Sequence, residues 1–99
     1  MKTTRESREL RNAQGRLLAK AEYVGGELDG LNEVWNVEGT LVQRSHYKSG
    51  LLDGPYAAWW DNGNKKEEGA YRNGKRIGRF LWFAEDGSMH SEHEFPTDQ

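Results

Sequence analysis

The stretch "GLLDGPYAAWWDNGNKKEEGAYRN", residues 50–73, decides how the chain is read. Its glycines and aromatics return one unit earlier in "GELDGLNEVWNVEGTLVQRSHYKS" (26–49) and one unit later in "GKRIGRFLWFAEDGSMHSEHEF" (74–95). Gly26, Gly50 and Gly74 form one column, Gly30, Gly54 and Gly78 a second, and Gly39, Gly63 and Gly87 a third. Trp35, Trp59 and Phe83 align, as do Tyr47, Tyr71 and Phe95. Gly15 and Tyr23 carry the pattern upstream by half a unit. Spacing this regular marks an array of equal units, each of which needs its neighbours to bury an apolar side.

The period translates into hairpins. "QG" (14–15), "EG" (38–39), "NG" (62–63) and "DG" (86–87) make one series of turns; "GG" (25–26), "SG" (49–50) and "NG" (73–74) make another. The two series interleave, so a shorter interval between turn glycines alternates with a slightly longer one along the chain. Each suits one strand plus a two-residue turn, for which Asn-Gly is the strongest short signal because both central residues need positive φ. No unit has apolar residues at helical spacing. The sequence therefore predicts an all-β fold, an antiparallel meander of about seven or eight strands. Stacked 24-residue β-hairpin repeats would form a single elongated, twisted sheet. Gly30, Gly54 and Gly78 read either as mid-strand bulges or as loop ends. The predicted organisation is an N-terminal arm or edge segment (1–10), one repeat domain (11–95) and a C-terminal tail (96–99). Within the domain, a half repeat (11–25) precedes repeats 26–49, 50–73 and 74–95. The segment "MKTTRESREL" leaves three readings, a short helix, an edge strand or a frayed arm. Charged end strands would discourage pairing with other chains.

Strict alternation of side chains gives each hairpin one packed face, holding the aromatic columns, and one wetter, charged face. On the parity opposite the Trp35, Trp59 and Phe83 column, the residues change along the chain. Asn32, Val34 and Asn36 give way to Tyr56, Ala58 and Trp60, then to Phe80, Trp82 and Ala84. A face expected to be wet turns aromatic. Tyr56, Trp60, Phe80 and Trp82 are thus the candidate partner-binding residues, since exposed clusters of large aromatics mark interaction sites and Trp and Tyr dominate interface energetics. Lys66, Glu67, Glu68 and Arg79 would flank the cluster and set orientation and on-rate. The alternatives are an internal core, if the sheet curls, and a homodimer contact.

Composition narrows the function classes. The 99 residues are 34% hydrophobic and 30% charged, with net charge −2. A general phosphate-backbone binder needs a basic footprint, so no direct nucleic-acid partner is expected. The basic run Arg72, Lys75, Arg76 and Arg79, with Lys65 and Lys66 nearby, reads as a solvated turn or as a contact for an acidic partner or for phosphate. The chain has no cysteine, which removes disulfides, thiol nucleophiles and cysteine zinc sites. The start lacks an apolar signal-peptide region and no run suffices for a membrane span, so a cytoplasmic location is expected. In "HSEHE" (90–94), His90 and His93 stand three apart, which alternation puts on opposite faces of a strand; no metal site is expected. Asp29 and Asp53 hold equivalent repeat positions and read as turn or bulge residues. No nucleophile elbow or phosphate loop is present, so no catalytic residue, no cofactor and no enzyme activity are expected.

The pattern in "GAYRNGKRIGRFLWFAEDGS" (69–88), a G-x-Y-x-N-G-K-x-x-G run followed by an aromatic strand and D-G, resembles the MORN repeat. It is similar to the bacterial second variant of that repeat, across about residues 11–95. In the first unit "VGGELDG" replaces the usual basic turn. The resemblance implies a YwqK-like antitoxin, or an immunity protein against a secreted toxin. Such a non-enzymatic module would neutralise a protein partner, a co-encoded toxin or effector. A phage-type inhibitor of a defence nuclease would use the same physics. The broader family implies the alternative, a self-associating scaffold with peripheral lipid contact.

Overall fold

The computed structural model describes residues 4–97; Met1, Lys2 and Thr3 of the N-terminal segment and Asp98 and Gln99 of the tail lie outside it. Nine strands follow one another: β1 (Arg5–Arg11), β2 (Leu17–Val24), β3 (Glu27–Trp35), β4 (Leu41–Lys48), β5 (Leu51–Leu52), β6 (Gly54–Trp59), β7 (Lys65–Arg72), β8 (Lys75–Phe83) and β9 (Met89–Phe95). All pairings are antiparallel, in the order β1-β2-β3-β4-β6-β7-β8-β9, with β5 beside β4. The all-β meander is as the repeat predicts. The ninth strand arises because Asp53 splits β5 from β6, its N–H turning to donate to the carbonyl of His46. Of the three readings of the first segment, the edge strand is the one formed over Arg5–Arg11.

The two turn series differ, which corrects the expectation of two-residue turns throughout. Gly25-Gly26, Ser49-Gly50 and Asn73-Gly74 hold positive φ at both residues, as the type I′ turn requires. The other series consists of three-residue loops ending in a positive-φ glycine. In 60–64, for example, the N–H of Trp60 donates to the carbonyl of Asn64 and that of Gly63 to the carbonyl of Trp60. The same pair of bonds recurs at Asn12, Asn36 and Ala84.

Beside each three-residue loop the register slips by one. Val34 faces Gln43 but Trp35 faces Leu41, which leaves Val42 as the extra residue of a bulge. Leu18, Lys66 and His90 occupy the same place in the other hairpins. A bulge breaks strict alternation on its strand. The two aromatic columns therefore lie on opposite sides of the sheet, contrary to the single packed face expected from parity. Trp35, Trp59 and Phe83 pair with Leu41, Lys65 and Met89 on one face. Tyr47, Tyr71 and Phe95 lie on the other, opposite Gly30, Gly54 and Gly78. On this second, tyrosine face also stand Tyr56, opposite Gly69, and Trp82, opposite Glu67.

The sheet is a single layer, 46 × 42 × 11 Å, with a radius of gyration of 15.2 Å. A compact chain of this length would have a radius of about 13 Å. The accessible surface of 6575 Å² likewise exceeds the roughly 5,800 Å² typical of a globular protein of this mass. Both differences follow from the absence of a second layer among the described residues. Only Ala21, Ser45, Ala58 and Phe80 are buried there. Ala21, Ser45 and Gly69 hold the same position in successive units and form a column of small side chains. The column lets larger side chains on adjacent strands lie over the backbone. At Gly69 an added Cβ would fall 2.6 Å from the Phe80 ring.

Aspartates stitch the units together. The Asp29 carboxylate accepts the N–H of Ser49 at 3.0 Å, and Asp53 accepts that of Asn73 at 3.2 Å. Each thereby clamps the next two-residue turn. The third equivalent position is Ile77, so the aspartate does not recur there. The Ser49 N–H, aided by Arg5, holds the Asp29 carboxyl below the ordinary value of 3.8.

Two outcomes follow. Gly69→Ala should destabilise the fold by about 1–3 kcal/mol through overpacking against Phe80, seen as a lower urea midpoint; an unchanged midpoint would contradict the packing. The contribution of Asp29, with its depressed folded pKa, is present above 3.8 and lost as pH falls through the lower folded value. Asp29→Asn should therefore flatten the acid side of the stability–pH profile, read by thermal melts between about pH 5 and 2.

Candidate aromatic binding face

The tyrosine face gathers its rings toward the C-terminal units. Tyr56 meets Tyr71 edge-on at 5.4 Å, and Tyr71 meets Phe80 edge-on at 5.5 Å. Phe80 continues to Trp82 at 5.9 Å and to Phe95 at 5.4 Å, and His93 lies 4.5 Å from Phe95. Edge-to-face contacts at these distances add stability beyond the area buried. Phe80, 0% exposed, is the hub. The guanidinium of Arg76 caps it at 5.2 Å and also stands 5.8 Å from Tyr71 and 5.9 Å from Phe95. Glu67 holds Arg76 at 3.4 Å.

Beside this cluster the face sinks into an open depression of about 590 Å³. Val34, Gln43 and Ala58 border it together with Tyr56, Trp60 and Glu67. Repeat chemistry explains the hollow, since β3 and β6 carry Val34 and Ala58 where β8 carries Trp82. Its walls are fixed by hydrogen bonds. Gln43 Nε2 donates to the Tyr56 hydroxyl at 3.3 Å, and Trp60 Nε1 donates to the carbonyl of Phe83 at 3.1 Å. The Lys66 ammonium lies 4.7 Å from the Trp60 ring, a cation–π contact that the bulge makes possible by turning Lys66 onto this face.

The predicted residues thus divide. Tyr56, Trp60, Trp82 and Lys66 converge on the tyrosine face and are not buried, so each presents surface. Phe80 converges with them but is enclosed, so it supports the face rather than contacting a partner. Glu68 and Arg79 do not flank the cluster. They point to the opposite face, where Glu68 meets Lys65 at 3.4 Å and Arg79 meets Glu94 at 3.8 Å. Parity counted without the bulge misplaces Glu68, whereas Arg79 adjoins Phe80 on β8 and plain alternation turns it to the other side. Gln43, Tyr71 and Arg76 belong to the site although the sequence pattern does not assign them to it. The repeat marks Tyr71 as a column residue and Arg76 as part of a basic run, yet neither pattern shows what a side chain covers.

Among the described residues no three His, Asp or Glu side chains gather as a metal set. His90 is itself a bulge residue, so alternation does not govern where it points. Among the described residues no helix is long and apolar enough to cross a membrane. Compared with family models, curated proteins and solved structures, the chain matches none.

Burial pushes the Tyr71 phenol above its ordinary 10.0; Glu67, Tyr56 and Tyr47 add to the rise, and Arg76 opposes it. With a raised folded pKa, the contribution of Tyr71 is present below 10.0 and lost as pH climbs through the higher folded value. In an ultraviolet titration of the folded chain, Tyr71→Phe should remove a component that ionises above 10.0; a titration unchanged above 10.0 would place Tyr71 in water.

Proposed function

We propose that this chain is a non-enzymatic protein-binding module that neutralises a partner protein, in the manner of an antitoxin or immunity protein acting on a toxin. The observation that carries the reading is the tyrosine face itself. In a single-layer sheet it has no second layer over it among the described residues, yet it holds partly exposed Tyr56, Trp60 and Trp82 on a rigid floor. A preformed surface loses little conformational freedom on binding, so more of the contact energy appears as affinity. The hollow beside Tyr56 accepts a protruding side chain or loop, and Lys66 and Glu67 at its border supply charge for orientation. The resemblance of residues 69–88 to the second MORN variant supports the same class. Inhibition would come from covering the partner's active site or an essential surface, with no bond made or broken by this chain.

The test is co-expression with the product of the adjacent open reading frame, followed by affinity capture and titration. The chain should form a one-to-one complex. Trp60→Ala and Trp82→Ala should each lower affinity by at least about 2 kcal/mol, or about 30-fold, while the chain stays folded. A folded double variant that binds and protects as the unaltered chain does would refute the assigned face. Turnover of a substrate by the purified chain alone would refute the non-enzymatic reading.

A further inference from the structure

Among the described residues the sheet has two free edges, and they are chemically unlike. β9, Met89–Phe95, carries Glu92 and Glu94 with no Lys or Arg. β1 reads Arg-Glu-Ser-Arg-Glu-Leu-Arg, pairs only with β2, and is exposed along its whole length. Its charges alternate in pairs along each face. Glu6 and Arg8 lie on the tyrosine face, opposite Tyr23 and Ala21, with Arg8 4.2 Å from the Tyr23 ring. Arg5 and Glu9 lie on the other face, where Arg5 reaches Asp29 at 3.1 Å and Glu22 at 3.9 Å.

From this order we infer that β1 is a self-complementary edge, whose occupant is β1 of a second copy in antiparallel register about a two-fold axis through Ser7. In that register Arg5 faces Glu9 of the other copy, Glu6 faces Arg8, Ser7 faces Ser7 and Thr4 faces Leu10. Each facing pair joins residues of the same parity. The ladder therefore closes whichever alternate amides point outward, and the facing side chains share a face. Opposite charges directly across strands are favourable and like charges are not. The axis repeats both opposite-charge pairings, Arg5 with Glu9 and Glu6 with Arg8, on either side of itself. Each copy already holds Arg8 to Glu6 and Arg11 to Glu9, both at 2.9 Å, so the pairs join into charge networks rather than isolated bridges. Leu10, 60% exposed in the single chain, comes to lie beside Thr4 of the other copy.

Other pairings fail on charge. An axis through Arg8 sets Arg8 against Arg8 and Arg5 against Arg11, and one through Glu6 sets Glu6 against Glu6. Continuing the repeat from one copy to the next would follow the register of Arg44 opposite Ala57. That register places Glu92 against Glu9 and sets His93 beside Arg8, so open-ended stacking is opposed. The expected product is a closed dimer with a continuous sheet and both tyrosine faces on the same side. This inference does not rest on the partner-binding reading, because the edge and the face are separate surfaces.

The experiment uses the absence of cysteine from the chain. Under mild oxidation Ser7→Cys should form a disulfide dimer, because the axis brings the two Cα atoms within bridging range. Glu9→Cys should not, because its two copies stand well out of line, about 14 Å apart. By sedimentation equilibrium the unaltered chain should reach twice its 11.4 kDa mass. Glu6→Arg and Arg8→Glu should each weaken the dimer about tenfold or more, and mixing these two variants should restore it as a heterodimer. A monomer at all concentrations would overturn the inference. So would species larger than a dimer, a dimer indifferent to both reversals, failure of the mixture to pair, or cross-linking of Glu9→Cys as readily as Ser7→Cys. Because Glu6 is exposed and bonded to Arg8 of its own strand, loss of pairing in Glu6→Arg is not a folding defect, and its melting curve shows this directly.

Discussion

The ring of Phe80 lies on the bare backbone of Gly69, and most of the tyrosine face is organised around that contact. A one-layer sheet has no opposing layer to fill its core. Burial must come from side chains lying down over their own sheet, which works only where the residue beneath is small. The column Ala21, Ser45 and Gly69 supplies that floor, and Phe80 uses it most fully. Tyr71, Phe95 and Trp82 then lean on Phe80, and Arg76 closes the top. In the last unit the small residue is replaced by His93, which packs against Phe95 instead of making room for a further ring. At the other end Arg8 covers Tyr23.

The second constraint is the bulge. One extra residue per hairpin, at Leu18, Val42, Lys66 and His90, turns the sheet's chemistry over beside every three-residue loop. It sends Trp35, Trp59 and Phe83 to one side and leaves the tyrosines on the other. It also brings Lys66 over Trp60, which builds one wall of the hollow. Local irregularity and candidate site are thus one feature. The aspartates act in the perpendicular direction, each fastening the next turn, so that the strands carrying Tyr56 and Phe80 keep a fixed relation.

How much of this was legible in the sequence follows from the same features. The 24-residue columns identify the hairpins, their order and the turn residues, because φ requirements and spacing are local. The ends of the array are legible as charge. The faces are not, because parity counting assumes an unbroken ladder and no single residue type announces a bulge in this chain. Glu68 is misplaced for that reason, and Arg79 is turned away by simple alternation next to Phe80. Tyr56, Trp60 and Trp82 share one face as parity gives it, because the extra residues lie on the partner strands. Phe80 reads as surface in the sequence because its burial depends on Gly69, a residue on another strand. Gln43, Tyr71 and Arg76 carry no such mark because their roles are contacts made across strands.

If the chain binds a protein partner as proposed, the tyrosine face is the side that meets it. Oxidative footprinting with mass spectrometry, comparing the free chain with its partner-bound complex, addresses that directly. The account predicts protection of Tyr56, Trp60 and Trp82 on binding, with Trp35, Trp59 and Phe83 unchanged. Protection of Trp35, Trp59 and Phe83 with the tyrosine face still reactive would contradict it.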